Sequence, residues 1–107
     1  MKTIENSIQI AIGGRQKVCP DEVIMLQADV NYSIVYLIDG TKLIVATTLK
    51  KLEERFSQFS FIRMNKTYMI NSQYVVEEEK NTLKLSNSFV IAFSRRKAKR
   101  WRDRSIT

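Results

Sequence analysis

The stretch DEVIMLQADVNYSIVYLIDGTKLIVA, residues 21–46, decides the fold. Asp21 to Ala28 and Tyr32 to Ile38 are apolar runs rich in β-branched and aromatic residues, separated by Asp29-Val30-Asn31. Runs of this length bounded by turn residues read as buried strands. Asp39-Gly40 predicts a hairpin, because that dipeptide readily takes the positive φ angles of a type I′ turn. Lys42 to Ala46 supplies the returning strand.

Toward the amino end, Ile8, Ile10 and Ile12 alternate with Gln9 and Ala11, the period of a half-buried strand, before Gly13-Gly14 turns the chain into a further hairpin. Toward the carboxyl end the period becomes helical. Thr47 or Thr48 can cap a helix whose Leu49, Leu52, Phe56 and Phe59 share one face, while Lys50, Lys51, Glu54 and Arg55 point to water. Phe61 to Arg63 and Thr67 to Ile70 read as short strands, and Asn71-Ser72-Gln73 as a turn before Tyr74-Val75-Val76. Glu77 to Asn81 reads as a charged hairpin tip, Thr82 to Leu85 as a strand, Ser86-Asn87-Ser88 as a turn and Phe89 to Phe93 as the last strand. If Ser94 caps the terminal segment, Ala98, Trp101 and Ser105 share one side of a basic helix. The expectation is a mainly β protein of antiparallel sheets, with one short internal amphipathic helix and a basic C-terminal helix.

At 107 residues and 44% hydrophobic content the chain fits a single domain, residues 1–107, able to close a modest core without metals or disulfides. No run of about 18 apolar residues exists, and the amino end lacks the apolar stretch of a signal peptide, so the expected location is the cytoplasm. Cys19 is the only cysteine and histidine is absent. A disulfide framework, the usual zinc sets and His-dependent acid–base chemistry are thereby excluded. The remaining carboxylates, Glu53-Glu54 and Glu77-Glu78-Glu79, lie in runs of charge that mark solvated faces. Neither an enzyme nor a cofactor is expected.

The charge is concentrated at one end. Between Arg95 and Arg104, seven basic side chains and Asp103 carry +6 of the formal net charge of +7. Such a concentration suggests a polyanion as partner, with a solvated tail as the plain alternative. A second basic site is Arg63-Met64-Asn65-Lys66-Thr67-Tyr68, where Asn65 can pair with adenine edges, Lys66 with a phosphate or guanine, and Thr67 with phosphate oxygens. Asp29-Val30-Asn31-Tyr32-Ser33 is a third polar loop, which alone reads as a turn chosen for Asn and Asp geometry.

Taken in order, Leu26 to Tyr32, Asp39-Gly40, Thr48 to Glu53, Phe61 to Asn71 and Ser94-Arg95-Arg96 resemble the LytTR family of DNA-binding domains, from about residue 8 to residue 102. The resemblance implies antiparallel β-sheets with few helices and a double-stranded DNA partner read at direct repeats by loops inserted into successive major grooves. By position, it implies base reading by Asn31 or Tyr32, by Lys66 and by Arg95. Arg63, Asn65, Thr67, Ser94, Arg96 and Lys99 would then be support or phosphate contacts. The chain departs from the family where Asn65 stands in place of a frequent histidine and Lys66 in place of a frequent arginine, which bears on base preference. Met1 leads almost directly into the first strand, so a standalone domain without a receiver domain is expected.

The sequence therefore points to a bacterial transcriptional regulator that binds duplex DNA as two copies. Two other readings compete. One is a single-stranded RNA or DNA binder that stacks bases on Tyr32, Tyr36, Tyr68 and Trp101, although Tyr36 and Trp101 are expected in the core. The other is an interaction module that engages a sensor or membrane regulatory protein, or sequesters a DNA-binding partner.

Overall fold

A computed structural model describes residues 8–94. The basic terminal helix expected from the sequence lies outside the described residues. The strands are β1 (Ile10–Gly13), β2 (Gln16–Val18), β3 (Val23–Asp29), β4 (Tyr32–Leu37), β5 (Lys42–Val45), β6 (Phe61–Arg63), β7 (Tyr68–Asn71), β8 (Val75–Glu78), β9 (Thr82–Leu85) and β10 (Val90–Ala92), with helix α1 (Leu49–Phe56) between β5 and β6. All pairings among them are antiparallel, and the chain divides into two compact units after Gln73. The fold is mainly β, as the alternating and apolar runs require.

The first unit holds a five-stranded sheet in the order β5-β4-β3-β7-β6 and the two-stranded hairpin β1-β2. Central strand β3 is buried from Val23 through Leu26, which is why its sequence is continuously apolar rather than alternating. On one side Leu26, Val35 and Met69 pack with Ile12 of the hairpin and with Leu52 and Phe56 of α1. The rings of Phe56 and Phe61 meet edge to face with centroids 4.7 Å apart. Burying each such side chain contributes roughly 1.5–3 kcal/mol. Thr48 caps α1, its hydroxyl accepting from the Lys51 N–H at 3.3 Å. Phe59 sits beyond the helix end and is only partly buried against the core.

Several boundaries differ from the sequence reading for identifiable reasons. Pro20-Asp21-Glu22 forms one 3-10 turn, closed by the Glu22 N–H on the Cys19 carbonyl at 2.9 Å, so β3 starts at Val23 instead of Asp21. The buried Asn71 belongs to β7, not to a turn, and its amide donates to the Val23 carbonyl at 2.9 Å, tying the end of β7 to the start of β3. Ser72–Tyr74 is a 3-10 turn.

The hairpin at Asp39-Gly40 exists, but its turn is not type I′. Gly40 has φ 92° whereas Asp39 is not in the positive region, and the Gly40 N–H donates to the Leu37 carbonyl at 3.0 Å. This is a type I turn followed by a glycine bulge. Asp39 uses its carboxylate instead, accepting from the Thr41 N–H at 2.9 Å. Three successive positive φ values, at Gly13, Gly14 and Arg15, turn the chain from β1 into β2, the last two being 60° and 65°. Gly13, at φ 124°, lies so close to the segment after β5 that a Cβ there would collide with the Thr47 hydroxyl.

The second unit contains the sheet β10-β9-β8. Glu77 and Glu78, read from sequence as part of a hairpin tip, lie in β8 with Glu77 opposite Lys84. They are tolerated there because β8 is an edge strand whose charged side chains remain exposed. Leu83, Leu85 and Ile91 are the buried positions of this sheet.

Candidate nucleic-acid interface

One end of the five-stranded sheet gathers two of the polar segments singled out by sequence. Strands β3 and β4 are joined by the two-residue turn Val30-Asn31, with Asp29 and Tyr32 paired directly across its base. Beside them, Gln27 pairs with Tyr68 at the start of β7, and the Ala28 N–H donates to the Thr67 carbonyl at 2.7 Å. The turn at residues 30–31 and the loop at residues 64–67 therefore leave the sheet side by side. On the other flank the buried Ser33 donates its hydroxyl to the Thr47 carbonyl at 2.6 Å, fastening the segment before α1 to β4.

The first turn exposes its side chains. Asn31 is exposed and Tyr32 is 53% exposed. Val30 has φ 56°, a left-handed conformation that glycine, asparagine or aspartate adopts far more readily than a β-branched residue. Holding such a residue there costs about 1–3 kcal/mol. The β3–β4 ladder imposes it.

The second loop is fixed from within. Arg63 donates from Nε to the Asn65 carbonyl at 2.7 Å, from Nη2 to the Lys66 carbonyl at 3.0 Å, and from Nη1 to Glu53 Oε1 at 2.8 Å. Its guanidinium thereby spans loop and helix. Asn65 Oδ1 accepts from the backbone N–H groups of Thr67 and Tyr68, both at 2.8 Å, reproducing a turn with its side chain. Met64 is buried beneath the loop, and Lys66 is exposed at its tip. Arg63 and Asn65 hold the loop's shape. Neither Glu53, read from sequence as a solvated charge, nor the strain at Val30 was flagged by local pattern. The partner of Glu53 is ten residues away, and nothing in an Asp-Val-Asn string signals a left-handed valine.

Tyr36 is half-buried rather than a core residue. Its hydroxyl donates to Gln27 Oε1 at 2.5 Å, and burial, with smaller contributions from Tyr68 and Asp29, raises its pKa above the ordinary phenol value. Cys19 is buried. Among the described residues no three His, Cys, Asp or Glu side chains cluster as a metal site, and no helix is long and apolar enough to cross a membrane. Ser94 follows β10 and is exposed; Arg95, Arg96 and Lys99 lie outside the described residues.

Comparison with known proteins agrees with the antiparallel β architecture. In structure the chain is similar to the LytTr DNA-binding domain of a Bacillus cereus protein described as a putative methyl-accepting/DNA response regulator, with a TM-score of 0.69 at 18% identity over 90% of this chain and 93% of that one. No curated protein matches its sequence. The family model of the LytTr DNA-binding domain matches residues 14–105. A β-sheet protein with two fixed polar loops at one sheet end, matched over nearly its whole length by that model, belongs to the LytTr family of DNA-binding domains.

Proposed function

We propose that this chain is a sequence-specific transcriptional regulator that reads double-stranded DNA through the loops at the end of its five-stranded sheet, binding as two copies on a direct repeat. The observation that carries the reading is the juxtaposition of the 30–31 turn and the 64–67 loop, with Asn31, Tyr32 and Lys66 exposed. Both loops are bonded within the chain itself, an arrangement that lowers the ordering entropy lost on binding. Asn31 suits an adenine edge and Lys66 a guanine edge or phosphate. Arg95 is proposed as the third base reader, with Ser94, Arg96 and Lys99 on phosphates, where contacts set register without reading sequence. Thr67 belongs to the same phosphate-contacting group, whereas Arg63 and Asn65 act by shaping the loop. The basic run from Arg95 to Arg104 draws the protein to the duplex by counterion release.

Selection from random duplexes at about 150 mM salt tests the whole reading. Enrichment of two similar half-sites in direct orientation is expected; recovery of no preferred sequence refutes it. With the selected duplex, Lys99→Ala should weaken binding to all sequences alike and lower the salt slope by about one, whereas Lys66→Ala should also relax preference at particular base pairs.

Stacking of single strands on tyrosines is less well supported. Of Tyr32, Tyr36 and Tyr68, only Tyr32 is exposed, and the hydroxyl of Tyr36 is already engaged. Competition between duplex and single strands at equal salt separates the two. Retained capture of a sensor or membrane regulatory protein without DNA binding would favour the interaction-module reading.

A further inference from the structure

Val30 is 92% exposed at the tip of the β3–β4 turn, beside Asn31 and Tyr32. Ile44, the next most exposed large apolar residue among the described ones, is 65% exposed. Burial does not account for a valine there. Turn chemistry does not account for it either, since φ 56° suits the residue types of its own neighbours, Asp29 and Asn31, better than valine. What the position does offer is a branched methyl pair on a stiff side chain, carried by a turn whose base is closed by the Asp29–Tyr32 pair.

The major groove of B-DNA presents one apolar feature, the C5-methyl group of thymine. Resting on the reading of this turn as a major-groove element, we propose that Val30 is a specificity-determining residue that packs on a thymine methyl within each half-site. The neighbouring Asn31 supplies the complementary chemistry for the same kind of pair, because an adenine edge offers N7 and N6 to one carboxamide. The turn is then selective for A·T pairs through two unlike contacts. Val30 also supplies discrimination that hydrogen bonding cannot, since removing a methyl leaves every donor and acceptor of the pair in place.

The test uses the full chain and the duplex enriched from random sequence. Each thymine of one half-site is replaced in turn by deoxyuridine, which removes only the C5-methyl. Wild-type affinity should fall about 3- to 10-fold at one thymine and stay level at the others, a loss of the size expected for one buried methyl. Val30→Gly should bind thymine and uracil duplexes equally, no more tightly than wild type binds the sensitive uracil duplex, while melting at the same or a higher temperature. Val30→Asn, which also tolerates this φ, should behave as the glycine variant does. A flat uracil scan, or one whose sensitive position persists in both variants, overturns the valine contact and leaves the DNA reading intact. Failure of the wild-type chain to enrich any duplex overturns both.

Discussion

The two loops at the sheet end take their shapes from opposite sources. The 30–31 turn is held by its backbone: two strands in register force two residues to close the gap, and one of them is strained. The 64–67 loop is held by side chains, with Arg63 and Asn65 bonding to its carbonyls and N–H groups. A turn held by register can vary its tip residues without losing shape. A loop held by side chains spends Arg63 and Asn65 on itself and leaves Lys66 as its one exposed side chain. Mutations at the two loops should therefore separate stability from recognition in different ways.

The largest effect is expected from Arg63→Ala, which removes three charge-assisted bonds and should lower unfolding stability by about 2–3 kcal/mol. Denaturant titration measures the loss, and DNA affinity should fall with it because the Lys66 carbonyl is no longer held. Ser33→Ala comes next, at about 1–2 kcal/mol, since it leaves the Thr47 carbonyl unmatched beside a fully buried position. If the register of β3 and β4 alone governs the first turn, backbone shifts at Asn31 and Tyr32 should stay small in this variant by NMR.

Val30→Gly should act in the other direction, raising stability by about 0.5–1 kcal/mol as strain relief exceeds the added unfolded-state entropy. A stability loss in thermal melts would mean that the valine is held by contacts rather than imposed by register. The smallest effect belongs to Asp39, at the opposite end of the β4–β5 hairpin. The Thr41 N–H lowers its pKa below the ordinary carboxylate value. A depressed folded-state pKa gives stability that is present above the unfolded-state value and lost as pH falls through the folded one. The Thr41 amide should accordingly lose exchange protection on acidification, an effect that Asp39→Ala abolishes without changing DNA affinity at neutral pH.

Much of the fold was legible where the physics is local. The apolar run at Val23 to Leu26, the alternation of Ile10 and Ile12, and the helical spacing of Leu49, Leu52 and Phe56 read correctly because burial dictates residue type. Misreadings fell where two local preferences compete. Asp39-Gly40 invited a type I′ turn, but the carboxylate found the Thr41 N–H and left Gly40 alone in the positive region. The glutamates of β8 resembled a turn because an edge strand tolerates charge. In the candidate site, Lys66 and Tyr32 were readable as exposed polar tips. The inward duty of Asn65 and the Arg63–Glu53 pair was not, since both depend on which strands become neighbours.

Gly13 gives the small β1-β2 hairpin a reach beyond its own size. Any side chain there would drive into Thr47, whose carbonyl is the acceptor for Ser33, and Ser33 adjoins Tyr32. A single methyl added at Gly13 would meet the Thr47 hydroxyl and strain a backbone held at φ 124°, loosening the seat of the hairpin on the segment before α1. Gly13→Ala should therefore lower the melting temperature while backbone shifts at Asn31 and Tyr32 stay small by NMR, a cost in stability set by a residue outside both loops.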